Sequence, residues 1–161
     1  MTVETERKFL VANADWRGNA ERGVAFKQGY LCADGPASVR VRIEGEQANI
    51  NIKQAVVGVS RAEYEYPIPL TEAREMLASL CIAPPVEKTR YRVPVQAHVW
   101  EIDVFTGANA GLVVAEIELA APDEAFAKPD WLGREVSGER RYYNHALALH
   151  PYRDWCEFEE G

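Results

Sequence analysis

Positive charge is in deficit: 18 Lys and Arg stand against 25 Asp and Glu, a formal net charge of −7. That balance argues against a nucleic acid as main partner and against an anionic membrane, both of which are held by net positive fields. Cysteine is scarce as well. Cys32, Cys81 and Cys156 are odd in number and show no metal-ligand spacing, so reduced thiols in a cytosol are expected in place of a disulfide framework. Charges interrupt every hydrophobic stretch. With neither a signal-peptide run nor a membrane-length segment, the protein is expected to be soluble and cytoplasmic. Internal repeats, low-complexity tracts and interdomain linkers are also missing. The 161 residues suffice for one domain with its own core. We place that domain over 1–150, with 151–161 as an acidic, mobile tail after Pro151 carrying Asp154, Glu157, Glu159 and Glu160.

What the chain does have is alternation. In the run Glu4-Thr5-Glu6-Arg7-Lys8, strand geometry puts Glu4, Glu6 and Lys8 on one face and Thr5, Arg7 and Phe9 on the other. The same period of two returns at 24–31, 38–44, 48–53, 62–68, 86–93, 99–105 and 112–119, making eight candidate strands. Ala33-Asp34-Gly35-Pro36 marks a turn, Gly45-Glu46-Gln47 a hairpin, and Pro94 the end of its strand. A helix is expected over 71–80, capped by Thr71 and stopped before Pro84-Pro85, and a second from Ser137 to about residue 149. Residues 13–23 read as a polar loop, 122–126 as a short helical turn and Trp131-Leu132-Gly133 as a packed loop.

An open sheet with one wet face would explain any one of these strands. Eight with the same pattern favour closure into an antiparallel barrel, because closure removes the sheet edges. The fold class is then α+β, mainly β: a closed eight-stranded barrel with a charged interior, an apolar exterior and helices packed outside. Inward parity collects the acids in pairs, as Glu4 with Glu6, Glu63 with Glu65, Glu101 with Asp103, and Glu116 with Glu118. The bases pair likewise, as Arg40 with Arg42 and Lys88 with Arg90 and Arg92, joined by Lys8 and Lys53. Burying so many charges in a dry interior is prohibitively costly, so the lumen is expected to be wet and occupied. Guanidinium pairs hold phosphate oxygens, and carboxylate pairs hold hard divalent cations. The competing reading for each member is a structural ion pair, of at least equal weight for Glu44, Arg92 and Glu101. Arg7 and Lys27, of opposite parity, belong on the surface.

The ordered set resembles the CYTH superfamily, also called triphosphate tunnel metalloenzymes, whose signature is an N-terminal E-x-E-x-K. Beyond Glu4-Thr5-Glu6-Arg7-Lys8, the short bacterial branch is similar at Lys27-Gln28-Gly29-Tyr30-Leu31, Arg40-x-Arg42, Lys53 and Glu63-Tyr64-Glu65. It is similar again at Glu87-Lys88-Thr89-Arg90-Tyr91, Asp103-Val104-Phe105, Glu116-x-Glu118, the segment from Trp131 to Ser137, and Tyr143-Asn144. Lys27 stands where the branch is expected to carry Arg, which keeps the charge. The resemblance implies an eight-stranded tunnel that binds a triphosphate with Mg²⁺ or Mn²⁺. Family activities include inorganic, thiamine and RNA triphosphatase and class IV adenylate cyclase.

On this resemblance the expected activity is metal-dependent hydrolysis of a triphosphate, with inorganic tripolyphosphate favoured. Lys8, Arg40, Arg42, Lys53, Lys88 and Arg90 are expected to clamp phosphates. Glu4, Glu6 and Glu118 are expected to hold metal, with Glu116 and Asp103 joining them or positioning water. Lys88, Glu116 and Glu118 are the expected catalytic groups, Lys88 as proton donor to the leaving group. Glu63, Glu65 and Tyr30 have supporting places. The alternatives are an adenylate cyclase, a nucleoside or thiamine triphosphatase, or a triphosphate-binding module without turnover; a homodimer is compatible with all of them.

Overall fold

The computed structural model describes residues 2–56 and 58–155. Eight strands run in chain order as β1 (Thr2–Val11), β2 (Val24–Cys32), β3 (Ala37–Glu44), β4 (Gln47–Gln54), β5 (Ser60–Pro67), β6 (Val86–Val95), β7 (His98–Phe105) and β8 (Val113–Glu118). They hydrogen-bond in the order β5-β4-β3-β2-β6-β7-β8-β1, and β1 pairs back onto β5 to close the barrel. All of these pairings are antiparallel. The closed eight-stranded barrel expected from the alternation is therefore present.

A further strand, β9 (Leu132–Glu135), occupies what was read as a packed loop. It continues the edge of β1 that β5 leaves, with Glu135 opposite Phe9 and Leu132 opposite Val11. Gly133 permits this approach, since a Cβ there would lie 2.9 Å from the Leu10 carbonyl oxygen. Four residues are too few to show a period. Similarly, β6 runs past Pro94 to Val95. Its pairing with β2 stops at Arg90, so Pro94 lacks an N–H where no β2 acceptor is waiting.

Helix α1 (Leu70–Ser79) begins after Pro69, with Thr71 inside its first turn and not capping it. Ala73 and Leu77 pack on Val41 and Ala48, so α1 covers the outer face of β3 and β4. The second helix is shorter than expected. From 137 the chain passes through a 3₁₀ turn, Arg140–Tyr142, before α2 (Asn144–Leu149). Ser137 caps nothing because its hydroxyl accepts the Lys8 N–H at 2.9 Å and donates to Glu135 at 2.7 Å, which extends the β1 edge. Leu147 of α2 packs with Val86, Phe105 and Val114, whose parity is inward, so α2 closes one end of the barrel. The turn near 122–126 contains no helix.

The largest apolar cluster lies outside the barrel wall. Trp100 is fully buried between Phe9 and Trp131, at ring distances of 5.5 and 5.6 Å, with Ile102 and Ile117 beside it. The supposed polar loop contributes to this cover, because its 3₁₀ turn, Asp15–Asn19, buries Trp16 against Tyr91. The first residues of the expected tail are packed too. Trp155 is buried, 5.2 Å from the Tyr142 ring, and its indole N–H donates to the His150 carbonyl at 3.1 Å. The remainder of that tail, 156–161 including Cys156, lies outside the described residues. Among the described residues no helix is long and apolar enough to cross a membrane.

Trp100 joins the β7 wall to Phe9 of β1 and to the covering residues Phe126 and Trp131. Trp100→Ala is expected to lower unfolding free energy by about 3–5 kcal/mol, read as a shifted urea midpoint with an unchanged slope. A loss below about 1 kcal/mol would show that the outer cover does not hold the wall.

Candidate functional site

Inward side chains of all eight barrel strands, with residues 143–145, surround a cavity of about 350 Å³. Going round the barrel, β7, β8, β1 and β5 carry Glu101, Glu116, Glu118, Glu4, Glu6, Glu63 and Glu65, while β4, β3 and β6 carry Lys53, Arg40, Arg42 and Arg90. One half of the wall is thus mainly acidic and the other basic. Register intensifies the separation, since Glu6 stands directly opposite Glu118 and Glu101 opposite Glu116. Facing like charges are destabilising unless something of opposite sign lies between them.

Cations supply part of that compensation. Lys53 reaches Glu4 at 3.0 Å and Glu63 at 3.6 Å, and Lys8 reaches Glu116 at 3.7 Å. Arg61 lies 3.8 Å from Glu4 and 3.9 Å from Glu6. At the rim, Arg42 pairs with Glu44 at 3.2 Å, and Arg92 and Arg90 with Glu101 at 3.7 and 3.4 Å. Those contacts are the structural pairing weighed for Glu44, Arg92 and Glu101. Glu65 stands at the exposed rim as well, where it accepts from Asn51 at 3.4 Å. Arg40 differs. It sits between Tyr30 and Asn51 in register, and its buried Nε has no hydrogen-bond partner. An unpaired buried donor at a cavity wall is costly unless a ligand completes it.

Behind the basic wall lies a buried array. Asp103 is fully buried, and both of its oxygens are taken: Arg90 donates from Nε at 2.7 Å and from its terminal nitrogen at 2.9 Å, and Lys88 donates from Nζ at 2.7 Å. Lys88 also donates to Asn144 Oδ1 at 3.1 Å, an atom shared with Gln28 at 3.0 Å. Gln28 in turn accepts from Arg42 Nε at 3.0 Å. Neither Lys88 nor Asp103 is part of the lining. Asp103, expected beside the metal, instead holds two cations from behind.

The field inside separates the acids. Burial, then Glu116 and Glu4, pushes the Glu6 carboxyl up to about 8. Burial, then Glu4 and Glu101, raises Glu118, and burial followed by Glu63 raises Glu4. Burial opposes the charge on Glu116, yet Lys8, Arg90 and Lys88 hold it well below the usual carboxylate range. Among the bases, burial drives Lys88 down to about 7 against the pull of Asp103, and burial with Arg40 and Arg90 lowers Arg42 to about 10. Among the described residues no three His, Cys, Asp or Glu side chains form a ready cage for a metal ion. The donor set still fits a hard cation. Glu4, Glu6 and Glu118 carry carboxylates whose ionisation is suppressed by burial and by neighbouring carboxylates, a cost a divalent ion would relieve, and such ions are commonly held by one or two carboxylates plus phosphate oxygens and water.

Parity sorted the two cations of the opposite face correctly. Arg7 lies outside, bound to Glu135 at 2.5 and 2.9 Å and 5.1 Å from the Phe126 ring centre, and Lys27 is exposed. Tyr30 lines the cavity, as do Ser38 and Asn51. Arg61 shares parity with Glu63 and Glu65 but fell outside the expected strand, which started at 62, two residues after β5 begins at Ser60. Gln28 shares parity with Tyr30 but carries no charge to draw notice. Tyr143 was expected on the buried side of the last helix and Asn144 only through the family resemblance, while His145 carried no signal; tertiary packing brings all three to the cavity.

This architecture and charge pattern match a known family. The CYTH domain model matches residues 2–143, so the chain belongs to that family. An inorganic triphosphatase of Acetivibrio thermocellus is 45% identical over 157 residues, covering 98% of this chain and all of that protein. The inorganic triphosphatase of Nitrosomonas europaea is 38% identical over 152 residues, covering 91% and 97% of the two chains. The crystal structure of the inorganic triphosphatase NE1496 superimposes with a TM-score of 0.65 at 37% identity, covering 90% of this chain and 97% of that one. Triphosphatases of this family are metal-dependent in general.

The raised Glu6 carboxyl fixes the sign of a pH effect. A folded-state pKa above the unfolded value stabilises at low pH, and the contribution is lost as pH climbs from about 4.5 toward about 8. In metal-free protein, Glu6→Gln is therefore expected to gain stability relative to wild type between pH 5 and pH 9, measured by urea unfolding at both. An equal difference at the two pH values would refute the buried-carboxyl account.

Proposed function

We propose that this protein is a metal-dependent triphosphatase that hydrolyses inorganic tripolyphosphate to pyrophosphate and phosphate. The observation that carries the reading is the divided cavity, with the unpaired Arg40 Nε on its basic side and the facing pair Glu6 and Glu118 on its acidic side. A polyanion bridged to a cation satisfies both sides at once. The identity of the curated relatives points to the same substrate, and the cavity lining is dominated by charged side chains suited to a small linear one.

Lys8, Arg40, Arg42, Lys53 and Arg90, with Arg61 added, clamp phosphate oxygens. Phosphoryl transfer needs positioning and charge stabilisation more than covalent help. Glu4, Glu6 and Glu118 hold Mg²⁺ or Mn²⁺, which supplies Lewis-acid polarisation of the phosphate when bound. Glu116, ionised between Lys8 and Arg90, keeps those cations aimed into the cavity. Glu118, more exposed than Glu4 and Glu6, is the one placed to meet water and take a proton from it. Lys88 stands behind the lining, so its part is to fix Arg90 through Asp103. With its side chain fully buried and its Nζ engaged by Asp103 and Asn144, it supports the cations of the wall and is not placed to hand a proton to the leaving phosphate.

The test measures phosphate release from tripolyphosphate, ATP and thiamine triphosphate with Mg²⁺, Mn²⁺ or EDTA. Tripolyphosphate is expected to be the best substrate, EDTA to abolish turnover, and Arg40→Ala to cut kcat/KM by about 10²–10³-fold. Turnover that survives both EDTA and Glu6→Gln would overturn the metal assignment. Cyclic AMP formed from ATP would move the protein to the cyclases of the family.

A further inference from the structure

The inner end of the cavity is closed by side chains, and beyond them lies more space. Next to α2, Tyr143 and His145 separate the main cavity from a small second one of about 20 Å³ whose outer side carries Arg140. Ser38, Arg61, Tyr143 and His145 line both. Tyr143 is a fixed post: its hydroxyl donates to the Ser137 carbonyl at 2.7 Å and accepts the Gly58 N–H at 3.1 Å. His145 meets Tyr30 and Tyr143 edge-on, with ring centres 6.1 and 5.8 Å apart. Its ring completes the partition through these two aromatic contacts.

Cations continue through this partition. Lys8 lies on the near side, Arg61 borders both cavities, and Arg140 lies on the far side. Burial, then Arg140, Arg61 and Lys8, hold the His145 imidazole down to about 4, with Asp34 opposing weakly. The ring is therefore a neutral obstacle set in a row of positive charge. An anionic chain reaching the inner end meets steric blockage and no electrostatic one.

We propose that His145 sets the length of the substrate: it stops a linear polyphosphate at the inner end, and Arg140 beyond it forms a further phosphate subsite that opens when residue 145 is small. The proposal rests on the triphosphatase reading and adds to it a limit on chain length. A partition of one side chain is the kind of barrier that discriminates by about 10–200-fold.

The test compares kcat/KM for tripolyphosphate and tetrapolyphosphate in wild type, His145→Ala, His145→Phe and the double variant His145→Ala with Arg140→Gln. Binding of both polyphosphates is followed in parallel by calorimetry, so a folded variant that has lost turnover still reports. Wild type is expected to favour the shorter chain, and His145→Ala to raise the tetrapolyphosphate to tripolyphosphate ratio by about tenfold or more. His145→Phe should leave the ratio at or below wild type, and the double variant should lose the gain. An unchanged ratio in His145→Ala, a raised one in His145→Phe, or a gain that survives Arg140→Gln would each overturn the length limit while leaving the triphosphatase intact. A wild type that turns over ATP but no inorganic polyphosphate would sink the underlying reading and this inference with it.

Discussion

The interior of this barrel is where most proteins keep their apolar side chains, and here it holds two opposed sheets of charge. Everything else follows from keeping them facing each other without collapse. Because the polar faces point inward, the apolar faces must be covered from outside, and Trp16, Phe9, Trp100 and Trp131 provide that cover. The acids and bases are only partly matched, with Glu6 held opposite Glu118 and Arg40 Nε without a partner. A barrel built for stability alone would have paired them, since an uncompensated buried charge costs several kcal/mol.

Rigidity comes from behind the lining. Asp103 binds Arg90 through two parallel contacts and Lys88 through one, so the basic wall is anchored by a carboxylate that never reaches the cavity. Asn144 carries the same support to Gln28 and Arg42. Through this array the seating of α2 and the aim of three cations are a single packing problem. Preorganised charge of this kind needs no reorganisation when a polyanion arrives, which is the main source of rate in the proposed chemistry.

How much of this was legible depended on whether a residue repeats. Arg40 and Arg42, or Glu116 and Glu118, announce their face by alternation, and the structure places all four on the cavity wall. Arg61 obeyed the same rule and was lost only at a strand boundary, the least secure part of any periodic reading. Asp103 had the right parity and the wrong depth, because parity gives the face of a strand and says nothing of how far along the barrel axis a ligand reaches. The four residues of β9 were too few to show a period, and Ser137, which looked like a helix cap, bonds to the edge of β1 instead.

The sequence by itself determined the barrel, the inversion of its faces and the identity of most charges in the cavity, because a period of two is a local property of a strand and survives in any context. Tertiary structure alone decided that Tyr143, Asn144 and His145 close the inner end, that Asp103 and Lys88 stand behind the wall, and that like charges meet across β1, β8 and β7. Those outcomes depend on register and on contacts between residues as far apart as Lys88 and Asn144. No local pattern encodes where a distant segment will dock, since the packing of the whole barrel sets that position.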